Sequence, residues 1–251
     1  MPSPLTIIYP YYYQPYMLAY QLSVMEDYPQ DLSILIVDDG SPVPAAPIII
    51  EHASAALLRH LRLYRVLGDI PWNREEARNL GAHEAQTAWI IQMDIDHVLP
   101  AACVPTLLDF MPDPARWYRF PRYRRGQADS TRNKDALPRD CVYGKIHPHI
   151  DSYLVRKATY WDAGGYNEDF SGVLGGGSEF LERLGQTARA SLLPDTIFLE
   201  VVTSHVVADA SDTHCSRDTA PGKTLWRGLQ AQGRVAPKPT SWLRLPWKQV
   251  L

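Results

Sequence analysis

The architecture is indicated most clearly by residues 88–99, which read Ala88-Trp89-Ile90-Ile91-Gln92-Met93-Asp94-Ile95-Asp96-His97-Val98-Leu99. The apolar run up to Met93 is typical of a strand that is buried on both faces of a sheet. Asp94 and Asp96 follow where the backbone leaves the sheet, at the edge where open α/β sheets bind ligands. Carboxylates one residue apart suit a hard divalent cation that also holds phosphate oxygens. A pair of solvated acids in a turn is the alternative interpretation.

The size and composition fit one large α/β domain with a small appendage. The chain has 251 residues, of which 45% are hydrophobic and 21% charged, and this argues against global disorder. No apolar run approaches the roughly 20 residues of a membrane-spanning helix, and residues 1–5 lack the pattern of a signal peptide. Cys103, Cys141 and Cys215 form no paired motif, which indicates reduced thiols. We therefore expect a cytoplasmic protein with no membrane-spanning segment.

Strand and helix patterns alternate along the first half of the chain. Apolar runs predict strands at residues 5–9, 33–37 and 61–64, and the second ends in the tight-turn sequence Asp38-Asp39-Gly40-Ser41. Pro15 is placed to start a helix, and the capping-box pair Asn73 and Glu76 predicts another that runs to about residue 86. Residues 42–47, rich in Pro and Ala, are predicted to form a loop. This alternation predicts a mostly parallel sheet with right-handed crossovers.

Charge is distributed unevenly along the chain. Residues 116–139 contain eight Lys or Arg and two Asp, a net charge of +6, whereas the rest of the chain carries −9. Such asymmetry indicates an anionic partner. A solvated loop whose arginines pair with nearby acids is the alternative.

Five segments in this order resemble the inverting glycosyltransferases of GT-A fold, in the large family-two group. They are Thr6-Ile7-Ile8-Tyr9-Pro10-Tyr11-Tyr12, Val37-Asp38-Asp39-Gly40-Ser41, Ala77-Arg78-Asn79-Leu80-Gly81, Met93-Asp94-Ile95-Asp96, and Gly164-Gly165-Tyr166-Asn167-Glu168-Asp169-Phe170 with the later Gly-Gly-x-Glu. The resemblance covers about residues 5–205. It implies a GT-A, Rossmann-like fold, with a mostly parallel sheet flanked by helices.

The resemblance also implies a division of the chain. Residues 1–205 would form the glycosyltransferase domain, with a nucleotide-sugar-binding half at 1–96 and an acceptor-binding half at 97–205. Residues 206–251 would be a C-terminal tail that packs on the domain through Trp226, Trp242 and Trp247.

The implied reaction is metal-dependent transfer of a sugar from a nucleotide-diphosphate sugar, with a UDP-sugar as the first expectation. Asp94 and Asp96 would hold Mn²⁺ or Mg²⁺, which acts as a Lewis acid on the leaving diphosphate. The residues assigned to the nucleotide sugar are Pro10, Tyr11, Tyr12, Asp38, Asp39, Arg78 and Asp94. The aspartates could instead be turn acids, and Arg78 a surface arginine of its helix.

Inversion requires a base that deprotonates the acceptor hydroxyl. The family carries this carboxylate in a Gly-Glu-Asp sequence that opens a helix. This chain departs from the pattern, because Gly176-Gly177-Ser178-Glu179 supplies a serine and then one acid. We assign the base to Glu179, with Glu182 as the substitute if the register is shifted. The alternative for Glu179 is a first-turn acid stabilised by the helix dipole.

Histidines are further candidates around the site. Many GT-A enzymes complete the metal shell with a late histidine, which here would be His205 or His214, with His97 as a weaker candidate. His147 and His149 lie near the acceptor-side segment and are candidates for acceptor contact.

Two other functions remain open on the sequence. The Asp-x-Asp segment is similar to the start of haloacid-dehalogenase-type phosphatases, although there the acidic pair comes later in the chain. A GT-A domain that binds nucleotide sugars without turnover is the second, since the Gly-Glu-Asp motif is replaced.

The acceptor is open as well. It could be a glycan, another small molecule, or a hydroxymethylated base in phage-type DNA. Arginines interleaved with aromatic residues in the 116–139 segment would suit phosphate contact and base stacking, and a modified base would have to be flipped out to meet the sugar.

Overall fold

The computed structural model describes residues 5–125, 142–210, 212, 214, 216–233 and 242–251. The strands are β1 (Leu5–Tyr11), β2 (Leu32–Asp38), β3 (Leu61–Val66), β4 (Trp89–Gln92), β5 (His97–Val98), β6 (Arg116–Arg119), β7 (Arg122–Arg125), β8 (Val142–Ile146), β9 (Tyr153–Arg156), β10 (Arg189–Leu192), β11 (Leu199–Val201) and β12 (Trp247–Gln249). The helices are α1 (Pro15–Met25), α2 (Ala45–His52), α3 (Ala55–Leu58), α4 (Arg74–Glu84), α5 (Val104–Asp109), α6 (Lys157–Asp162), α7 (Gly176–Thr187) and α8 (Ala220–Ala231).

The main sheet has eight strands in the order β10-β6-β9-β4-β1-β2-β3-β12. Its centre, β4-β1-β2-β3, is parallel throughout, as the alternating pattern of the sequence predicts. Antiparallel strands are added on both sides, since β9 runs opposite to β4 and β6, and β12 runs opposite to β3. The expected α/β fold of GT-A type is confirmed. A second sheet of four strands, in the order β5-β11-β7-β8, lies in the later part of the chain.

Apolar side chains cover both faces of the main sheet. One buried cluster contains Ile7 and Ile34 of the central strands together with Leu18 of α1, and the other contains Ile8 with Leu80 of α4. The fit between α4 and β1 is close, because a Cβ at Gly81 would collide with Cγ2 of Ile8. Helices therefore flank the sheet on both faces, and the carboxyl ends of β1, β2 and β4 open at a common edge.

Helix α2 corrects the expectation of a loop over residues 42–47. The helix begins at Ala45, and Pro47 lies in its first turn. A proline costs little there, because the first backbone N–H groups of a helix have no partner within the helix. The Asp38 carboxylate accepts one of these N–H groups, from Ala45, at 3.0 Å.

The residues after 205 contact the domain at several points. Helix α8 lies against the turn before α7, where a Cβ on Gly222 would come 2.9 Å from the carbonyl carbon of Leu174. Trp242 donates its indole N–H to the carbonyl of Gly164 at 2.8 Å, and the N–H of Leu243 is held by Glu168 at 2.8 Å. Among the described residues, no helix combines the length and apolarity needed to cross a membrane.

Candidate functional site

A cleft of about 760 Å³ lies at the carboxyl edge of the parallel strands. Many of the residues that the sequence assigns to the site line it, namely Pro10, Tyr11, Tyr12, Asp39, Asp94, Asp96 and His214. Four other assigned residues, Asp38, Arg78, Glu179 and His205, are not among the described residues that line it. The arrangement follows from the fold, because the turns after β1, β2 and β4 meet at this edge.

The two acids after β2 have different surroundings. Asp38 accepts the N–H groups of Ser41 and Ala45 and an ion pair from Arg65 Nη1 at 2.6 Å, so it holds the turn and the start of α2. Asp39 faces the cleft, and its buried Oδ1 has no hydrogen-bond partner among the described residues. Burial, with the charges of Asp38 and Asp69, raises the pKa of Asp39 well above its usual range. An unpaired buried carboxyl oxygen is costly, and a bound ligand with hydrogen-bond donors would satisfy it.

Asp94 is held in place by two cationic neighbours. Arg78, which is fully buried in α4, donates to Asp94 Oδ1 and also to the backbone carbonyl of Asp151 at 2.9 Å. His149 places Nδ1 2.9 Å from Asp94 Oδ2. Burial opposes ionisation, but these two charges hold the pKa of Asp94 well below its usual range. Arg78 therefore positions the Asp94 carboxylate by direct contact. Arg78 itself is not among the described residues that line the cleft.

Asp96 has the chemistry of a cation ligand. Burial and the nearby negative charge of Asp94 raise the pKa of Asp96 to about 7. A divalent cation between the two carboxylates would relieve this repulsion, and Mg²⁺ and Mn²⁺ favour carboxylate oxygen ligands. The donor set that faces the cleft thus fits the metal that the sequence predicts.

The histidines divide into different environments. Asp94, His97 and His149 bring one potential ligand atom each within 4.8 Å of one another. Both ring nitrogens of His97 are already used, because Nδ1 lies 2.5 Å from Ser152 Oγ and Nε2 lies 2.9 Å from Arg122 Nη1. Burial lowers the pKa of His97 to about 3, so this ring is neutral. His97 therefore has the contacts of a structural histidine.

His214 is the late histidine that lies at the cleft. Its ring packs against Tyr13, with centroids 4.8 Å apart, and its Nε2 lies 3.0 Å from the Tyr13 carbonyl oxygen. His205 is exposed and does not line the cleft. His147 contacts the second sheet through its carbonyl, which accepts from Arg122 Nε at 2.9 Å.

The model of glycosyl transferase family 2 matches residues 6–172 of the chain. The chain belongs to this family. The match covers the Asp-Asp-Gly-Ser turn, the Ala-Arg-Asn helix and the Asp-x-Asp segment, and it replaces the phosphatase interpretation. No curated protein sequence matches the chain.

Solved structures with GT-A folds resemble the family 2 chain at low sequence identity. S. aureus TarS 1–349 in complex with UDP is 15% identical, with a TM-score of 0.55, over 81% of this chain and 61% of that one. Mannosyltransferase PcManGT from Pyrobaculum calidifontis, in complex with GDP-Man and Mn²⁺, is 15% identical, with a TM-score of 0.53, over 92% of this chain and 62% of that one. The family 2 chain thus spans less than two thirds of these relatives.

Glu179, the predicted base of this family 2 chain, lies in an environment that the sequence analysis did not expect. Its two carboxylate oxygens accept from Arg183 Nε at 2.8 Å and Nη2 at 2.7 Å, and the two side chains are 2% and 3% exposed. Arg183 also donates to the carbonyl of Ala163. Ser178, not Glu179, lines the cleft from this part of α7. The contacts of Glu179 are therefore those of a buried structural ion pair, and Glu182 is exposed.

Sequence reasoning missed several cleft residues. Arg74 and Asp151 line the cleft and form an ion pair of 2.6 Å, and Trp72 stacks on the Arg74 guanidinium at 4.5 Å. Helix α8 adds Lys223 and Trp226 to the cleft lining. The one available signal was the position of Asp151 two residues before a strand of the sheet. Nothing in the local sequence of α8 marks it as a wall of the site.

The basic segment contributes less to an anion-binding surface than its charge suggests. Trp117 and Phe120 are buried in the core, and the Arg119 guanidinium stacks on Trp117 at 4.9 Å. Arg116 is paired with Asp113, and Arg122 contacts His97 and His147. Residues 126–139 of the segment lie outside the described residues. In its described part, three of the four aromatic residues are buried, and Arg116, Arg119 and Arg122 contact other protein groups.

Proposed function

We propose that this family 2 chain transfers a sugar from a nucleotide-diphosphate sugar to an acceptor hydroxyl, with inversion and with the help of a divalent metal. The observation that carries the proposal is a single cleft lined by Asp39, which has an unpaired buried oxygen, and by Asp94 and Asp96. Asp39 would accept hydrogen bonds from the ribose or base of the nucleotide. Tyr11 and Tyr12 would flank the nucleotide from the end of β1.

The metal would be held by Asp94 and Asp96, with His214 on the cleft wall as the candidate third ligand. When bound, the ion would supply a Lewis acid that neutralises charge on the departing diphosphate. Arg78 holds Asp94 in position by donating to its Oδ1. Lys223, which also lines the cleft, would add positive charge for the diphosphate.

For the donor we propose a UDP-sugar, because TarS 1–349, which shares the fold, was solved with UDP. PcManGT was solved with GDP-Man and Mn²⁺, so GDP-Man is the next donor to test. For the acceptor we propose a saccharide. Trp72 and Trp226 line the cleft, and aromatic rings of this kind offer large apolar faces with a polar edge. A nucleic-acid acceptor has less support, since Trp117, Tyr118 and Phe120 of the basic segment are buried.

The test is release of nucleoside diphosphate from a panel of nucleotide sugars with Mn²⁺ and with EDTA, with water as the acceptor. We expect slow release from one donor that requires Mn²⁺ and is lost in Asp96→Asn. Equal release with EDTA would contradict the metal assignment. Silence across the panel while one donor still shifts Tm would favour a domain that binds nucleotide sugars without turnover.

A further inference from the structure

The start of α7 has no side chains where the family carries its acids. The helix begins at Gly176, and the residue before it, Gly175, has φ of 127°. If Gly175 is the glycine of the Gly-Glu-Asp motif, the two acidic positions are Gly176 and Gly177. Neither of these glycines has a positive φ. These two positions are therefore glycine because a side chain would not fit, and not because the backbone conformation requires glycine.

Two carboxylates from elsewhere in the chain fill that space. A Cβ at Gly177 would lie 2.8 Å from Cγ of Asp151, and one at Gly176 would lie 3.0 Å from Cδ of Glu75, with a carboxylate oxygen closer in each case. Asp151 precedes β9, and Glu75 is in the first turn of α4. The space that side chains at Gly176 and Gly177 would need is thus occupied by Glu75 and Asp151, which come from two other elements.

Arg74 joins the two carboxylates. It donates Nη1 to Asp151 Oδ2 at 2.6 Å and Nε to Glu75 Oε1 at 3.1 Å. Tyr166 donates its hydroxyl to Asp151 Oδ1 at 3.0 Å. Asp151 is among the residues that line the cleft, although its side chain is only 1% exposed, whereas Glu75 is not among them and its Oε2 has no hydrogen-bond partner in the described part of the chain. Of the two carboxylates, Asp151 is therefore the one that borders the cleft.

We propose that Asp151 is the catalytic base of this chain; this inference rests on the proposed glycosyl transfer. The proton of the acceptor hydroxyl passes to an oxygen of Asp151. The acceptor oxygen uses the freed electron pair to bond the anomeric carbon. The bond from that carbon to the diphosphate oxygen breaks, and its electron pair leaves with the nucleoside diphosphate.

The first experiment compares wild type with Asp151→Asn in Mn²⁺-dependent release of nucleoside diphosphate, with water as the acceptor. Asparagine keeps the size of the side chain and can still contact Arg74 and Tyr166. We expect kcat to fall about 100-fold or more, the scale of general-base catalysis, while KM for the donor and the Tm shift caused by UDP with Mn²⁺ stay near wild type. Asp113→Asn, which removes an exposed carboxylate, is the control.

An exchange variant, in which the carboxylate moves from residue 151 to residue 177, tests whether a loss of activity comes from misfolding instead. Asp151→Gly removes the carboxylate and frees the space beside α7, and Gly177→Asp in the same chain returns a carboxylate from the helix. We expect the exchange variant to regain at least 10-fold in kcat over Asp151→Gly, and Gly177→Asp alone to be impaired by collision with Asp151.

The outcomes separate the two proposals. Undiminished kcat in Asp151→Asn would overturn the assignment of the base while leaving the transferase function intact. An exchange variant that is folded and binds UDP, yet is no faster than Asp151→Gly, would overturn it as well. A wild type without metal-dependent release from any donor would overturn the proposed function, and this inference with it.

Discussion

Replacing Glu179 by glutamine distinguishes a structural ion pair from a catalytic base. Breaking a buried pair by removing one partner costs roughly 3–5 kcal/mol. Glutamine keeps one oxygen that can accept from Arg183, and the Arg183 bond to Ala163 remains. We therefore expect a loss of about 3 kcal/mol in the free energy of unfolding, which corresponds to a fall of about 6–12 °C in Tm for a chain of this size.

The assay combines urea unfolding with donor hydrolysis, measured well below Tm and expressed per folded molecule. We expect kcat of Glu179→Gln to stay near wild type, because its carboxylate faces Arg183 and lies outside the cleft lining. A second variant, Glu179→Leu with Arg183→Met, replaces both charges by apolar groups. Its stability should return to within about 1 kcal/mol of wild type, since such replacements of buried pairs are often neutral or stabilising.

The opposite pattern would refute this reasoning. If Glu179→Gln unfolds like wild type but no longer releases nucleoside diphosphate, Glu179 is the base that the sequence motif predicts. The assignment to Asp151 would then be withdrawn.

Two further predictions concern stability. Gly81→Ala should cost about 1–3 kcal/mol in urea unfolding, because the new methyl overpacks the contact between α4 and β1, whereas Gly185→Ala, with open space around it, should stabilise α7 by about 0.5–1 kcal/mol. Burial raises the pKa of Glu75 from 4.5 to about 7 against the opposing charge of Arg74 and with the help of Asp151, so the stability it contributes is complete below pH 4.5 and lost as the pH rises through 7. Between pH 5 and 8.5 the free energy of unfolding should therefore decrease, and in Glu75→Gln this decrease should be smaller by up to about 3 kcal/mol. An unchanged decrease would contradict this.

The fold was predictable because its main signals are local. Residues 89–93 are apolar apart from Gln92, and Asp94 and Asp96 follow at once, so the strand, its burial and the ligand edge all follow from one stretch of sequence. The choice between Asp38 and Asp39 was not local. Neighbouring side chains of an extended segment point in opposite directions, and only the position of α2 shows that Asp38 turns to Ala45 while Asp39 turns to the cleft.

The environment of α7 shows why the acidic residues of the site were harder to assign. Glu179 is the first acid after the glycines, so the family's motif points to it, whereas the structure pairs it with Arg183, one helical turn on. Asp151 and Glu75 come from segments far away in the sequence, and no local pattern brings them to Gly176 and Gly177. Their meeting is a product of tertiary packing.

Strand β12 affects whether the main sheet can pair edge to edge with the sheet of another copy of the chain. It covers the outer side of β3, where the Leu63 carbonyl accepts from the N–H of Val250 at 2.8 Å and the Leu67 N–H donates to Pro246 at 2.7 Å. An uncovered strand at this position would present a row of unpaired backbone groups, the usual template for edge-to-edge aggregation. The opposite border of the sheet, β10, is only four residues long and begins with the charged Arg189. The border strands of the main sheet are thus β12, which has three residues and contains Lys248, and β10. Short border strands that carry a charge disfavour edge-to-edge pairing with another copy.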